Sequence, residues 1–240
     1  MGSLRRGSRH RAQIRVLAVL FGLVAGFVVP ATDAQPPRAP LPWIDAHLHL
    51  VGGRGAQADW PGAVDAAVRD MDRFGIATAI VLPPPQVDTQ QTYEASAFAS
   101  TLARHRGRFA YIGGGGALNP MIHRHADPTR VTDDVKREFV AAAEAIIDGG
   151  AVGFGEMASL HISVAPAHPY EFVPADHPLF LVLADVAARR DVPIDLHMDA
   201  VDGETPTPPR FTGFANPAKL PDTIGALARL LARHPKARIV

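Results

Sequence analysis

The sequence predicts an α/β protein, a parallel (β/α)8 TIM barrel of which about six strands are present. Three observations carry that expectation. Short apolar runs of strand character alternate with helix-like segments from about residue 43 to the end of the 240-residue chain. Strict alternation of that kind means a parallel sheet with helices outside. Runs near the start and in the second half close on His47 and His49, on Glu156 and on His197. Each is followed by a loop and then by a helical pattern, the order in which a parallel barrel gathers chemical groups at its C-terminal mouth.

The first strand is Ile44 to Leu50. Successive side chains of a strand alternate faces, so His47 and His49 project to one side, roughly 6–7 Å apart at Cα. Two imidazoles so placed can converge on one metal ion with bonds of about 2 Å. The apolar flanks mark the strand as buried, and buried imidazoles need partners or a metal. Gly52 to Asp59 reads as a loop. Ala63 to Phe74 has helical spacing, with Val64, Ala67, Val68 and Met71 on one face and Gly75 as its stop. Ala77 to Leu82 is a buried strand broken off by Pro83-Pro84-Pro85. Thr92 to Arg104 is a second helix with Ala95, Phe98, Ala99 and Leu102 inward. Phe109 to Ile112 is a third strand, running into Gly113-Gly114-Gly115-Gly116.

Asp133 to Ile147 is a helix opened by Thr132 or Asp133 as cap. The fourth strand is the glycine-rich run Gly149 to Met157, closing on Glu156. A helix capped by Ala175 or Asp176 reaches Ala188, and Val192 to Asp199 is a fifth strand carrying His197. Val201 to Leu220 is a long loop rich in proline and glycine, Asp222 to Arg233 a helix, and Ala237 to Val240 the start of a sixth strand. An open doubly wound sheet shares this alternation, but its sites collect at one topological switch point. Candidate ligands from strands one, four and five suit a closed barrel. Because such barrels take ~250 residues or more, the sequence is expected to be a C-terminally truncated piece that continues past Val240.

Hydrophobic residues make up 47% and charged residues 20% of the chain, an ordinary globular balance. A formal charge of zero offers no basic face to nucleic acid. The absence of cysteine excludes disulfides and thiolate metal sites, leaving histidine and carboxylate as ligands. At the N-terminus Arg5, Arg6, Arg9, Arg11 and Arg15 precede an apolar stretch, Val16 to Val29, too short to span a bilayer comfortably. Ala31-Thr32-Asp33-Ala34 offers a small-residue cleavage site. Residues 1–34 are therefore expected to be a signal peptide and 35–42 a proline-rich linker, leaving 43–240 as the barrel. An uncleaved anchor is the alternative. Cleavage predicts a secreted or periplasmic protein without stable membrane association.

Asp45-Ala46-His47-Leu48-His49 resembles the first-strand signature of the amidohydrolase superfamily, in its amidohydrolase-related (type 2) branch. Gly153-Phe154-Gly155-Glu156-Met157 and Asp195-Leu196-His197-Met198-Asp199 resemble that branch's fourth- and fifth-strand motifs. Three motifs in order at barrel spacing make the resemblance specific, and it covers about residues 43–240. It implies a distorted (β/α)8 barrel and a divalent metal, zinc first and manganese second, as one or two ions. It implies His47, His49, Glu156 and His197 as metal ligands, Glu156 at the position that bridges two metals in relatives. A strand-six histidine and a strand-eight aspartate, which the family also supplies, are not in this sequence.

The function this implies is a metal-dependent hydrolase that activates water to cleave an amide, lactone or ester of a small substrate, one bearing a carboxylate included. Two alternatives stand beside it: a decarboxylase or hydratase of the same family, and a non-catalytic remnant. The partner is a small molecule, and a homo-oligomer is compatible with the sequence. Asn119, Arg210 and Asn216 lie in loops where they could hold a substrate carboxylate or carbonyl. Asp199 shares a strand face with His197 and could contact substrate or orient a ligand. Asp45 is expected to make a structural hydrogen bond. His161 and His168 follow the Glu156 strand towards the mouth. His123-Arg124-His125 repeats the His-x-His spacing in a polar loop.

Overall fold

The computed structural model describes residues 42–50, 58–85, 93–166 and 168–240. The expected signal peptide, nearly all of the linker, the segment 51–57 of the first loop and the opening of the Thr92 helix lie outside the described residues. Along the chain run β1 (Trp43–Leu48), α1 (Trp60–Phe74), β2 (Ile76–Val81), a 3-10 turn (Ala95–Ala97), α2 (Ala99–Leu102), β3 (Phe109–Tyr111), β4 (Gly113–Gly114) and α3 (Leu118–Arg124). A 3-10 turn (Pro128–Arg130), α4 (Asp133–Asp148), β5 (Phe154–His161), β6 (Glu171–Phe172), α5 (Pro178–Arg190) and β7 (Pro193–Met198) follow. The last elements are β8 (Thr205–Pro206), a 3-10 turn (Pro209–Phe211), β9 (Lys219–Leu220), α6 (Thr223–Arg233) and β10 (Arg238–Ile239).

The strands form parallel sheets in chain order. One sheet runs β1-β2-β3 and the other β4-β5-β7-β10, all parallel, with β6 antiparallel to β5; β8 and β9 pair in an antiparallel hairpin. Only Ile112 separates β3 from β4, and its N–H donates to Val81 O at 3.0 Å. One extended segment thus gives its first half to one sheet and its second half to the next. The architecture is mixed α/β with parallel sheets.

Local chemistry explains where the helices start and stop. The Asp59 carboxylate accepts from Gly62 N to open α1, and Gly75, at φ 71°, closes it in the left-handed conformation that a β-carbon disfavours. Thr132 caps α4 through Val135 N, with Asp133 and Asp134 facing the positive end of the helix dipole. Asp222 caps α6 through Gly225 N. The glycine run answers to close approaches: a Cβ on Gly116 would lie 2.2 Å from Tyr93 O, and one on Gly113 would lie 2.7 Å from a Glu94 oxygen. The Glu94 carboxylate accepts from Ala95 N and Gly114 N, tying the 3-10 turn to the glycine run.

The main core lies between β4, β5 and β7 and the helices α3 to α6. It is built on Phe139, Phe154, Met157, Leu179, Phe180, Leu183 and Ile194. Full burial of each such side chain stabilises by about 1.5–3 kcal/mol. A second cluster, Val64, Val81, Phe98 and Leu102, packs α1 and α2 on β2.

Several sequence expectations are corrected. β1 is not buried: it is a sheet edge paired with β2 alone among the described residues, and Trp43 and Ile44 are 70% and 65% exposed. The fourth strand begins at Phe154, because Gly149 and Gly150 close α4 through bonds to Ala145 O and Ile147 O, and it runs on to His161. The second helix is reduced to a 3-10 turn and one four-residue helix. Residues 118–124, read as loop, form α3, because Leu118, Pro120 and Ile122 are buried beneath it. His177, not Ala175 or Asp176, caps α5; Pro178 fills the first helical position and His177 Nδ1 accepts from Leu179 N. The long loop holds the β8–β9 hairpin.

Candidate metal centre

His47 stands on β1, His49 just past its end, Glu156 third in β5 and His197 on β7. The structure brings all four together. His47 Nε2 and His49 Nε2 face each other at 3.2 Å. Glu156 Oε2 lies 3.0 Å from His49 Nε2 and 3.6 Å from His47 Nε2. Ligand atoms of His47, His49 and Glu156 all fall within 4.8 Å of one another. The other carboxylate oxygen, Oε1, bonds His197 Nδ1. Glu156 thus turns one oxygen to the histidine pair and the other to His197.

The distal nitrogens of the pair are held as well. His49 Nδ1 lies 3.0 Å from Leu82 O, and His47 Nδ1 lies 3.1 Å from Asp195 Oδ2. Asp195 was not among the residues singled out from sequence. The available signal was its place two before His197, on the same strand face.

Glu156 is 5% exposed. Burial alone would raise its carboxyl pKa, but the close approach of His197 and His49 outweighs it and holds it at about 2. Burial opposes protonation of His49 and His197 too, yet contact with Glu156 raises both above the ordinary imidazole value. Burial raises Asp195. Glu156 Oε2 is buried without a properly directed hydrogen bond. An orphaned carboxylate oxygen facing two convergent imidazole nitrogens is a donor set of the kind that zinc and manganese accept.

The remaining candidates divide into two kinds. Asn119 is on α3 rather than in a loop, and is fully buried. Its Nδ2 donates to Glu156 O at 2.6 Å and its Oδ1 accepts from Ala158 N at 2.9 Å, so the amide pins β5 from behind the site. Asn216 accepts from Ser163 N at 2.8 Å and donates to Ser163 O and Phe211 O at 2.9 Å, latching two loops. Both amides are engaged by backbone groups. Asp199 and Arg210 instead line a cavity of about 320 Å³ with Ile162, Val201, Phe211 and Leu220. Asp199 Oδ2 accepts from Ile162 N at 3.0 Å, and the Arg210 guanidinium lies 4.6 Å from the Phe211 ring centre.

The other histidines separate cleanly. The His161 ring lies 4.6 Å from His197, beside the centre, and His168 stacks on it at 4.2 Å. Burial, then the neighbouring imidazoles, push His161 down to about 4. His123 Nε2 meets Ala158 O at 2.9 Å and His125 Nδ1 meets Met121 O at 2.8 Å, so that His-x-His serves backbone carbonyls. Asp45 Oδ1 accepts from His47 N at 3.1 Å, the structural bond expected of it.

No family model matches the chain, and no curated protein matches it. Solved structures do. A 2,6-dihydroxybenzoate decarboxylase from Rhizobium is 17% identical, with a TM-score of 0.43 over 82% of this chain and 65% of that one. A dihydroxybenzoic acid decarboxylase from Polaromonas sp. JS666, with bound manganese and the inhibitor 2-nitroresorcinol, is 19% identical, with a TM-score of 0.45 over 82% and 64%. A Staphylococcus aureus protein provisionally described as an amidohydrolase is 13% identical, with a TM-score of 0.43 over 83% and 66%. The chain spans about 65% of the length of these structures.

Proposed function

We propose that residues 43–240 carry the metal-holding part of an amidohydrolase-type, metal-dependent enzyme acting on a small molecule. The observation that supports this best is the division of one buried carboxylate: Glu156 Oε2 faces His47 and His49 while Oε1 holds His197. His47, His49 and Glu156 would hold a divalent cation, with His197 at the second oxygen. A zinc or manganese ion bound there supplies a Lewis acid and a bound water of lowered pKa. The chain's own groups do the rest. Glu156 stays ionised at neutral pH, His197 Nδ1 is hydrogen-bonded to its Oε1, and His161 offers a neutral imidazole beside them. Arg210, at a mixed polar and apolar cavity that also holds Asp199 and Asp202, offers a cation that a substrate carboxylate could meet.

Hydrolysis of an amide, lactone or ester is what the strand motifs imply. Decarboxylation is a second reading, because the same donor set serves both and the similar structures include two decarboxylases. The protein, stripped of metal and reloaded with zinc or manganese, should be screened on lactones, amides and aromatic or unsaturated acids. The proposal expects turnover that requires metal and is abolished by His49→Ala. Carbon dioxide release would select decarboxylation, and a new acid without it would select hydrolysis. Turnover equal in stripped and reloaded protein would overturn the metal-dependent reading.

A further inference from the structure

We propose that Asp195 positions His47, fixing its imidazole as the Nδ1–H tautomer so that the Nε2 lone pair faces Glu156 and His49. This rests on the metal-centre reading and concerns how one of its ligands is aimed. Both histidines of the pair turn Nε2 inward, but by different means. His49 is anchored by the Leu82 carbonyl, on the segment next to it in the same sheet. His47 sits on the exposed edge strand, with a side chain 44% exposed. Its anchor comes from β7, in the other sheet and not paired with β1: Asp195 Oδ2 lies 3.1 Å from Nδ1.

The chemistry of the contact sets the tautomer. An ionised carboxylate only accepts, so the imidazole nitrogen facing it carries the proton, and the other nitrogen is left with its lone pair. A carboxylate behind a ligating histidine also makes the imidazole a better base towards a metal. The backbone makes room for this partner. A Cβ on Gly155 would lie 2.7 Å from Asp195 Cβ, so the glycine before Glu156 is what lets Asp195 lie against β5. Without Asp195, a half-exposed imidazole on an edge strand has no described acceptor at Nδ1 and is free to turn or to protonate Nε2 instead.

The test uses the full chain, wild type, Asp195→Ala and Asp195→Asn, each read in two ways. Long-range proton–nitrogen correlation spectra of the metal-free protein report which His47 ring nitrogen carries the proton. Titration with zinc ion against a chelating dye reports affinity. The expected result is Nδ1–H in wild type, loss of that form in Asp195→Ala, and an affinity lower by about 10–100-fold. Asp195→Asn, whose amide can turn its NH2 to Nδ1 and favour the Nε2–H form, should keep the packing and still lose the Nδ1–H tautomer and the affinity. An Asp195→Ala protein that keeps the Nδ1–H form overturns the proposal, whatever its affinity. So does loss of affinity with His47 unchanged, since Asp195 would then be a ligand itself. If wild type binds no zinc, the metal-enzyme reading fails, while the spectra still decide what Asp195 does to His47.

Discussion

Replacing Asn119 with alanine should destabilise the protein while leaving every candidate metal ligand in the sequence. Asn119 is fully buried, and its amide makes two bonds to the β5 backbone on either side of Met157, at 2.6 Å to Glu156 O and 2.9 Å from Ala158 N. Each bond contributes about 1 kcal/mol net, and each buried backbone group left alone costs about 1–3 kcal/mol. With partial relaxation, a loss of about 3–4 kcal/mol is expected. For a domain of this size 1 kcal/mol corresponds to roughly 2–4 °C, so Tm should fall by about 6–16 °C. Thermal melts followed by circular dichroism measure this, and zinc titration of the same sample should show weaker binding because Glu156 loses its support. A Tm within about 2 °C of wild type, joined to a raised KM, would refute the reasoning. Asn119 would then face substrate rather than hold the strand.

Other expectations follow from the same geometry. The folded-state pKa of Glu156, about 2, lies below its ordinary 4.5. Its contribution to the metal-free protein, on the order of 3 kcal/mol, should therefore be present above pH ~4.5 and lost as pH falls towards ~2. Denaturant melts across that range should show a steep acid limb in wild type and a flatter one in Glu156→Gln; equal limbs would contradict the assignment. Gly116→Ala puts a Cβ 2.2 Å from Tyr93 O, whereas Gly213→Ala meets nothing within 4 Å. The first should destabilise by about 1–3 kcal/mol or more and the second by under ~0.5 kcal/mol, and similar melts for both would show the glycine run to be unconstrained. Export is proposed from the N-terminal sequence alone. Sequencing of secreted or periplasmic protein should find Gln35 near the start, and membrane-bound material retaining residues 1–34 would favour the anchor.

What the sequence made legible was period and position. Alternation on a strand put His47 and His49 on one side, and apolar runs closing on Glu156 and His197 marked the groups that meet them, because chain order and strand order coincide here. Chemistry between distant residues was not legible. The Asp195–His47 contact joins positions 148 apart in the chain, and nothing local separates Asp195 from Asp199 on the same strand face. Asn119 and Asn216 were placed in loops as candidate substrate contacts because a buried amide bonded to backbone has the same sequence signature as an exposed one. The helix α3 was hidden by Pro120 and by His123-Arg124-His125, whose imidazoles are satisfied by carbonyls of Ala158 and Met121. The apolar β1 was expected to be buried, because hydrophobicity reports what a strand can bury and not whether a neighbour covers it; Trp43 and Ile44 are exposed.

The central claim is that His47, His49 and Glu156 hold a metal ion. Anomalous diffraction from crystals of the zinc-loaded protein, recorded on both sides of the zinc edge, tests it most directly. The account predicts one strong peak among His47 Nε2, His49 Nε2 and Glu156 Oε2, absent from crystals of His47→Ala. A zinc-loaded crystal with no peak there, or with its peak at His161 and His168 instead, would contradict it.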